Sequence, residues 1–205
     1  MTKQSSYLLI SSILRIFVTF IILFTLNIPV FLKIVSIIFA DSIDCWLPRF
    51  FLQDWNICKR IMYQRYDKIN DMISYSMLLF YILNHLNEEK VEDDKTKNTG
   101  LSDIEKKLLI GLFLYRFIGT LFFLGTNNRK FLFYFPNFFL EIALALFTVQ
   151  YFPDLQPYKK KILTATVITK VIIEYFMHFR SKNWRGFSTL RYHYSNRTLL
   201  STCLK

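Results

Sequence analysis

Two pairs of aspartates are the residues of this chain best suited to chemistry. Asp41 and Asp44 close one apolar stretch, and Asp67 and Asp71 open the next one. Residues three or four positions apart share one face of a helix, so each pair can present both carboxylates to the same place. Carboxylates in an apolar setting repel one another unless a cation lies between them, and divalent cations are common partners of carboxylate oxygens. The spacing therefore predicts a divalent metal site.

The stretch that holds the aspartates resembles the signature of the CDP-alcohol phosphatidyltransferase family. That family carries Asp-x-x-Asp-Gly-x-x-Ala-Arg on one membrane helix and Gly-x-x-x-Asp-x-x-x-Asp at the entry to the next. This chain has all four aspartates and Arg49 in the same order and with the same internal spacing, and a longer loop joins the two halves. Residues of other types replace the family's Gly, Ala and Gly; they are Cys45, Pro48 and Tyr63.

This resemblance implies an integral-membrane phosphotransferase of phospholipid biosynthesis. In the family, an acceptor hydroxyl attacks the β-phosphorus of a CDP-linked lipid or alcohol, a phosphodiester forms and CMP leaves. Mg²⁺ or Mn²⁺ is the implied cofactor. The implied metal ligands are Asp41, Asp44, Asp67 and Asp71. Asp71 is also the implied catalytic base, Arg49 the implied phosphate ligand, and Cys45 the residue beside the bound nucleotide.

The composition of the whole chain indicates a polytopic membrane protein. Hydrophobic residues make up 53% of the 205 positions, and the mean hydropathy is +0.27. At about 20 residues per span, the apolar runs predict an all-α, single-domain chain with six transmembrane helices. A short interfacial helix is expected between the second and third spans. The predicted spans are residues 7–26, 30–50, 67–86, 108–126, 131–152 and 160–179.

The distribution of charge predicts the orientation in the membrane. The formal net charge is +11, and basic residues gather in alternate loops and in the tail at 180–205, whereas the loop at 87–107 is rich in acids. Because basic loops stay on the cytoplasmic side, both termini and the aspartates are expected there. If the source is eukaryotic or viral, the endoplasmic reticulum or another internal membrane is the expected location. The basic charge is assigned to topology, so nucleic acid is not an expected partner.

Several charged residues fall inside the predicted spans. Arg116 can either bind a substrate phosphate or form an intramembrane ion pair with Glu141, and charged groups at such depth usually have a partner. Lys170, Glu174 and His178 are spaced by four, which favours a ladder of polar side chains that faces the helix bundle over the alternative of a catalytic relay.

Two other functions remain open at this stage. A catalytically inactive membrane scaffold could keep the same fold, because two motif glycines are replaced. A small ion or proton transporter could use the intramembrane acids, although it requires charges spread along a path through the bilayer. The expected partners of the transferase are a CDP-linked lipid or alcohol, membrane lipid and, as an option, a second copy of the chain in a homodimer.

Overall fold

The computed structural model describes residues 3–44, 50, 61–88, 101–128 and 130–178, with only the backbone at some helix ends. Every regular element in this part of the chain is a helix, which confirms the all-α prediction. The elements are α1 (Lys3–Phe24), α2 (Val30–Asp44), α3 (Ile61–Glu88), α4 (Asp103–Thr126), α5 (Lys130–Tyr134), α6 (Phe138–Tyr151), a 3-10 helix (Pro153–Tyr158) and α7 (Lys159–His178).

Three helical stretches are long and apolar enough to cross a membrane: Ser6–Phe24, Asp103–Thr126 and Phe131–Tyr151. Large apolar side chains point outward from them, as lipid contact requires; Phe17 of α1, for example, is 59% exposed. The other predicted spans correspond to α2, α3 and α7, which do not meet the same criterion of length and composition within the described residues. The structure therefore supports a membrane protein with three such stretches among the described residues.

The helices form a bundle around α6. This helix packs against α2, α4 and α7, and eight of its side chains are buried. On the other side of the bundle, α1 packs against both α2 and α3, and α3 packs against α4. This arrangement brings α1, α2 and α3 together, and these are the helices that carry the functional candidates.

Two helices begin earlier than the hydropathy predicts. Helix α3 begins at Ile61 rather than at 67, and its first turns are anchored by the buried side chains of Tyr63 and Gln64. Helix α4 begins at Asp103 rather than at 108, because Ser102 and Glu105 form a capping box that satisfies the backbone N–H groups of both residues. Hydropathy cannot detect such polar helix starts, since it follows only the apolar residues.

The predicted fifth span is a broken helix. Helix α5 ends at Tyr134 and α6 begins at Phe138, with Pro136 between them. Proline lacks a backbone N–H and disfavours helical geometry in the residue before it, so a continuous helix is interrupted here. The predicted interfacial helix lies outside the described residues apart from Phe50, and so does the basic tail.

Candidate metal centre

Three carboxylates from two helices meet between α1, α2 and α3. Asp41 is in the last described turn of α2, and Asp67 and Asp71 are one turn apart on α3. One carboxylate oxygen from each residue lies within 4.8 Å of the others. We call these three residues the carboxylate cluster. Their side chains differ in exposure, at 33% for Asp41, 17% for Asp67 and 3% for Asp71, so the cluster leads from the surface into the bundle.

Among the described residues, two basic side chains bind the carboxylate cluster. Arg15 of α1 brings Nη2 to 2.6 Å from Oδ1 of Asp41 and to 2.7 Å from Oδ1 of Asp71, and its Nη1 lies 3.4 Å from Oδ1 of Asp67. Lys68 brings Nζ to 2.7 Å from Oδ2 of Asp67 and to 2.6 Å from Oδ2 of Asp71. The repulsion among three carboxylates is thus largely offset by two cations of the chain itself.

Arg15 was not among the residues predicted from the sequence. Its side chain is 3% exposed, in the middle of a helix that is otherwise apolar enough to span a membrane. A single arginine in such a helix is costly and marks a functional site with a partner nearby. That signal is present in the sequence, and attention to the aspartate spacing alone overlooks it.

Polar contacts on either side of Arg15 join α1 to α3. One turn before it, Ser12 accepts a hydrogen bond from Nδ2 of Asn70 at 2.9 Å. One turn after it, the hydroxyls of Thr19 and Ser74 lie 3.5 Å apart. These pairs follow the helical repeat along both helices, so the register that places Arg15 against α3 is set by three successive polar contacts.

The structure describes only part of the predicted site. Asp44 lies in α2 three residues after Asp41, but its side chain is not described, and Cys45 and Arg49 lie outside the described residues. Tyr63, at the position of the family's second glycine, is 4% exposed and lies one turn before Asp67. The roles of all these residues, and of Asp71 as a base, stay predictions.

Arg116 does not form the ion pair with Glu141 that the sequence offered as one alternative. Its Nη1 donates to the carbonyl oxygens of Phe135 at 2.7 Å and Leu132 at 3.3 Å, in and just beyond α5. Glu141 pairs instead with Lys170 of α7 at 2.5 Å. The broken fifth span explains the difference, because it exposes backbone carbonyl groups that a continuous helix would engage.

Arg116 is nevertheless buried close to the carboxylate cluster. It is 6% exposed, and its positive charge acts on Lys68 and Asp71. Its Nε has no hydrogen-bond partner among the described residues. One turn beyond Asp71, the hydroxyl of Tyr75 accepts a hydrogen bond from Nδ2 of Asn137 at 2.9 Å. This side of the cluster therefore offers a cation and neutral polar groups, which suits a phosphate or a hydroxyl.

The polar ladder predicted for the last span is present in its described part, Lys170 and Glu174. Lys170 lies 3.1 Å from the carboxylate of Glu174 as well as 2.5 Å from that of Glu141, so it joins α6 to α7. Glu174 is 6% exposed, which means that the ladder faces the bundle. The side chain of His178 is not described. The ladder is a structural contact between two helices and is separate from the carboxylate cluster.

The donor atoms of the carboxylate cluster suit Mg²⁺ or Mn²⁺, which prefer carboxylate oxygens. Oxygens on opposite sides of a Mg²⁺ ion are at most about 4.2 Å apart, since each Mg–O distance is about 2.1 Å. The observed separations, up to 4.8 Å, need only a small contraction to reach this value. The residues therefore fit a divalent cation, provided that the guanidinium of Arg15 gives up its place.

Comparisons with other proteins found no relative of the chain. No protein-family model matches the chain, and neither a curated protein nor a solved structure matches it.

Proposed function

We propose that the chain is a divergent CDP-alcohol phosphatidyltransferase: a multi-pass membrane enzyme that transfers a phosphatidyl or phosphoalcohol group from a CDP-linked donor to an alcohol. The observation that carries the proposal is the meeting of Asp41, Asp67 and Asp71, which belong to the two halves of the motif and come from two helices. The two-part motif requires this meeting of Asp41 with Asp67 and Asp71, and their spacing along the sequence does not by itself produce it.

The proposed membrane arrangement has six spans. Helices α2, α3 and α7 are the spans added to the three apolar ones, with both termini and the carboxylate cluster on the cytoplasmic side. Aspartates and basic side chains account for the polarity of α3, and their mutual ion pairs reduce the cost of placing them near lipid. A water-soluble nucleotide could then reach the more exposed carboxylate, that of Asp41.

In the proposed reaction, the acceptor hydroxyl oxygen attacks the β-phosphorus of the CDP-linked donor and forms a new P–O bond. The bond between this phosphorus and the bridging oxygen breaks, and CMP leaves with the electron pair. Asp71 takes the hydroxyl proton at a carboxylate oxygen. A bound Mg²⁺ or Mn²⁺ would offset the negative charge of the diphosphate. Arg116 and Arg49 are the proposed phosphate ligands.

A second candidate is a non-catalytic scaffold with the same fold. It is favoured by one observation: both carboxylate oxygens of Asp71 are engaged, Oδ1 by Arg15 and Oδ2 by Lys68. A base needs a free oxygen, and a permanent pairing of this kind would abolish the reaction. The replacement of the motif glycines by Cys45 and Tyr63 points the same way.

One experiment separates the two candidates. The purified protein in lipid nanodiscs is incubated with CDP-diacylglycerol or a CDP-alcohol, a panel of acceptor alcohols and Mn²⁺, and released CMP is measured. The transferase predicts CMP release with at least one donor–acceptor pair, and its loss when the metal is chelated. The scaffold predicts none above the level of empty nanodiscs.

A further inference from the structure

The guanidinium of Arg15 lies where a divalent cation would bind. It contacts Oδ1 of Asp41, Oδ1 of Asp67 and Oδ1 of Asp71, so one positive group touches all three residues of the carboxylate cluster. A metal ion needs the same carboxylates at about 2.0–2.6 Å. Two cations cannot share these oxygens in one place, because they repel each other and compete for the same lone pairs.

We infer that Arg15 and a divalent cation compete for the carboxylate cluster, and that Arg15 is the counter-ion that stabilises the site while no metal is bound. The inference rests on the proposed metal site, but it does not require the transfer reaction. Metal binding displaces the guanidinium from the carboxylates, and the displaced guanidinium then becomes available to a phosphate group of the donor.

The balance of charge supports this exchange. Among the described residues, the three carboxylates with Arg15 and Lys68 leave one net negative charge on the carboxylate cluster. Arg116 nearby only cancels this charge, so without a metal the described residues do not attract an anionic diphosphate. Addition of a divalent cation, with Arg15 and Lys68 still nearby, turns the charge of the carboxylate cluster into one net positive charge. A diphosphate is then attracted, so the order of binding is metal first and nucleotide second.

The exchange can occur without movement of the helices. The contact of Ser12 with Asn70 and that of Thr19 with Ser74 flank Arg15 and hold α1 against α3 independently of the guanidinium. Arginine has a long side chain with several rotatable bonds, so a rotation of these bonds is enough to leave the carboxylates.

The chain provides a matched control for the loss of a buried cation. Lys33 of α2 is 5% exposed, and its Nζ donates to the carbonyl oxygen of Leu23 at 2.7 Å and to the hydroxyl of Tyr81 at 2.9 Å. It precedes Asp41 by eight residues, which is about 12 Å of helix rise. Its removal also destabilises the bundle, but it leaves the carboxylate cluster intact.

The test measures Mn²⁺ binding by electron paramagnetic resonance, and apparent Tm with and without Mn²⁺, in wild type, Arg15→Gln, Arg15→Lys and Lys33→Gln. No donor or acceptor is added, so the result does not depend on CMP release. We expect Arg15→Gln to lower the metal-free Tm and to tighten Mn²⁺ binding by at least about fivefold, the lower end of typical coupling between two ligands. Lys33→Gln should lower Tm and leave Mn²⁺ affinity unchanged.

Unchanged or weaker Mn²⁺ binding by Arg15→Gln overturns the inference, and so does the absence of Mn²⁺ binding by both this variant and wild type. If Arg15→Gln does not fold, Arg15→Lys decides in the same way. Lysine has a shorter side chain that ends in a point charge, so it cannot reach three carboxylates as the planar guanidinium does. Arg15→Lys should therefore also tighten Mn²⁺ binding. A tighter Mn²⁺ site in a protein that never releases CMP would support the competition and reject only the transferase.

Discussion

Arg15 and Asp71 are 56 positions apart in the chain, and they form a buried ion pair with 2.7 Å between Nη2 and Oδ1. Each side chain is only 3% exposed. The pair joins the first helix to the second half of the aspartate motif, so the fold and the proposed chemistry depend on the same contact.

Removal of either partner should destabilise the metal-free protein. Arg15→Gln leaves the carboxylates short of one cation, and Asp71→Asn leaves the two cations short of one carboxylate. Loss of one member of a buried pair costs about 3–5 kcal/mol. The double variant should lose less than the sum of the two single variants, by about 0.5–3 kcal/mol. The free energies of unfolding of wild type, the two single variants and the double variant are measured by denaturation in the same detergent without metal. Strictly additive losses would contradict the pairing of Arg15 with Asp71.

Mn²⁺ should raise the apparent Tm of the wild-type protein, because a ligand that binds only the folded state stabilises it. Asp67→Asn should reduce this shift, since Asp67 is a member of the carboxylate cluster. The control is Asp154→Asn, which changes an exposed aspartate of the 3-10 helix. An equal Mn²⁺ shift in wild type and Asp67→Asn would remove Asp67 from the metal site.

The polar ladder should contribute to stability but not to the metal response. Lys170→Met leaves the carboxylates of Glu141 and Glu174 without the cation that joins α6 to α7. We expect a lower Tm, and a shift on addition of Mn²⁺ equal to that of wild type. A diminished Mn²⁺ shift in this variant would show that the ladder and the carboxylate cluster act together.

Alanine substitutions at glycines of α4 test the break in the fifth predicted span. A Cβ at Gly119 would overlap the side chain of Phe135, whereas a Cβ at Gly111 or at Gly125 meets no atom within 4 Å. Gly119→Ala should therefore cost about 1–3 kcal/mol through overpacking. Gly111→Ala should be neutral or stabilising, since alanine favours a helix by about 0.5–1 kcal/mol over glycine. Equal stability of the two variants would contradict the placement of Phe135.

The sequence allowed prediction of the features that follow from local rules. Apolar runs indicated the all-α class, and the four-residue spacing of Asp67 and Asp71 predicted that they share one helix face. The capping signal of Ser102 and Glu105 was also local, but hydropathy does not register it. Hydropathy alone makes the predicted span 131–152 continuous, whereas Pro136 divides it into two helices.

Contacts between distant helices were beyond the reach of these rules. Nothing in the spacing of the aspartates indicates that α1 packs against α3, and so Arg15 could not be identified as their partner. The sequence offered a pair of Arg116 with Glu141 as one of two alternatives, and this alternative is wrong for a similar reason: helix α7 brings Lys170 to Glu141. Competition among several possible partners for one buried charge is decided by tertiary packing.

Release of CMP by wild type and by Asp71→Asn, with Asp154→Asn as the control, tests the central claim most directly. The variant protein keeps the shape of the side chain but loses its charge and basicity. With Mn²⁺, a CDP-linked donor and an acceptor alcohol, we predict release by wild type and by Asp154→Asn, and a loss of at least about 10²-fold in Asp71→Asn, as is typical when a general base is removed. Undiminished release by Asp71→Asn, or no release by wild type with any donor and acceptor, would contradict the account.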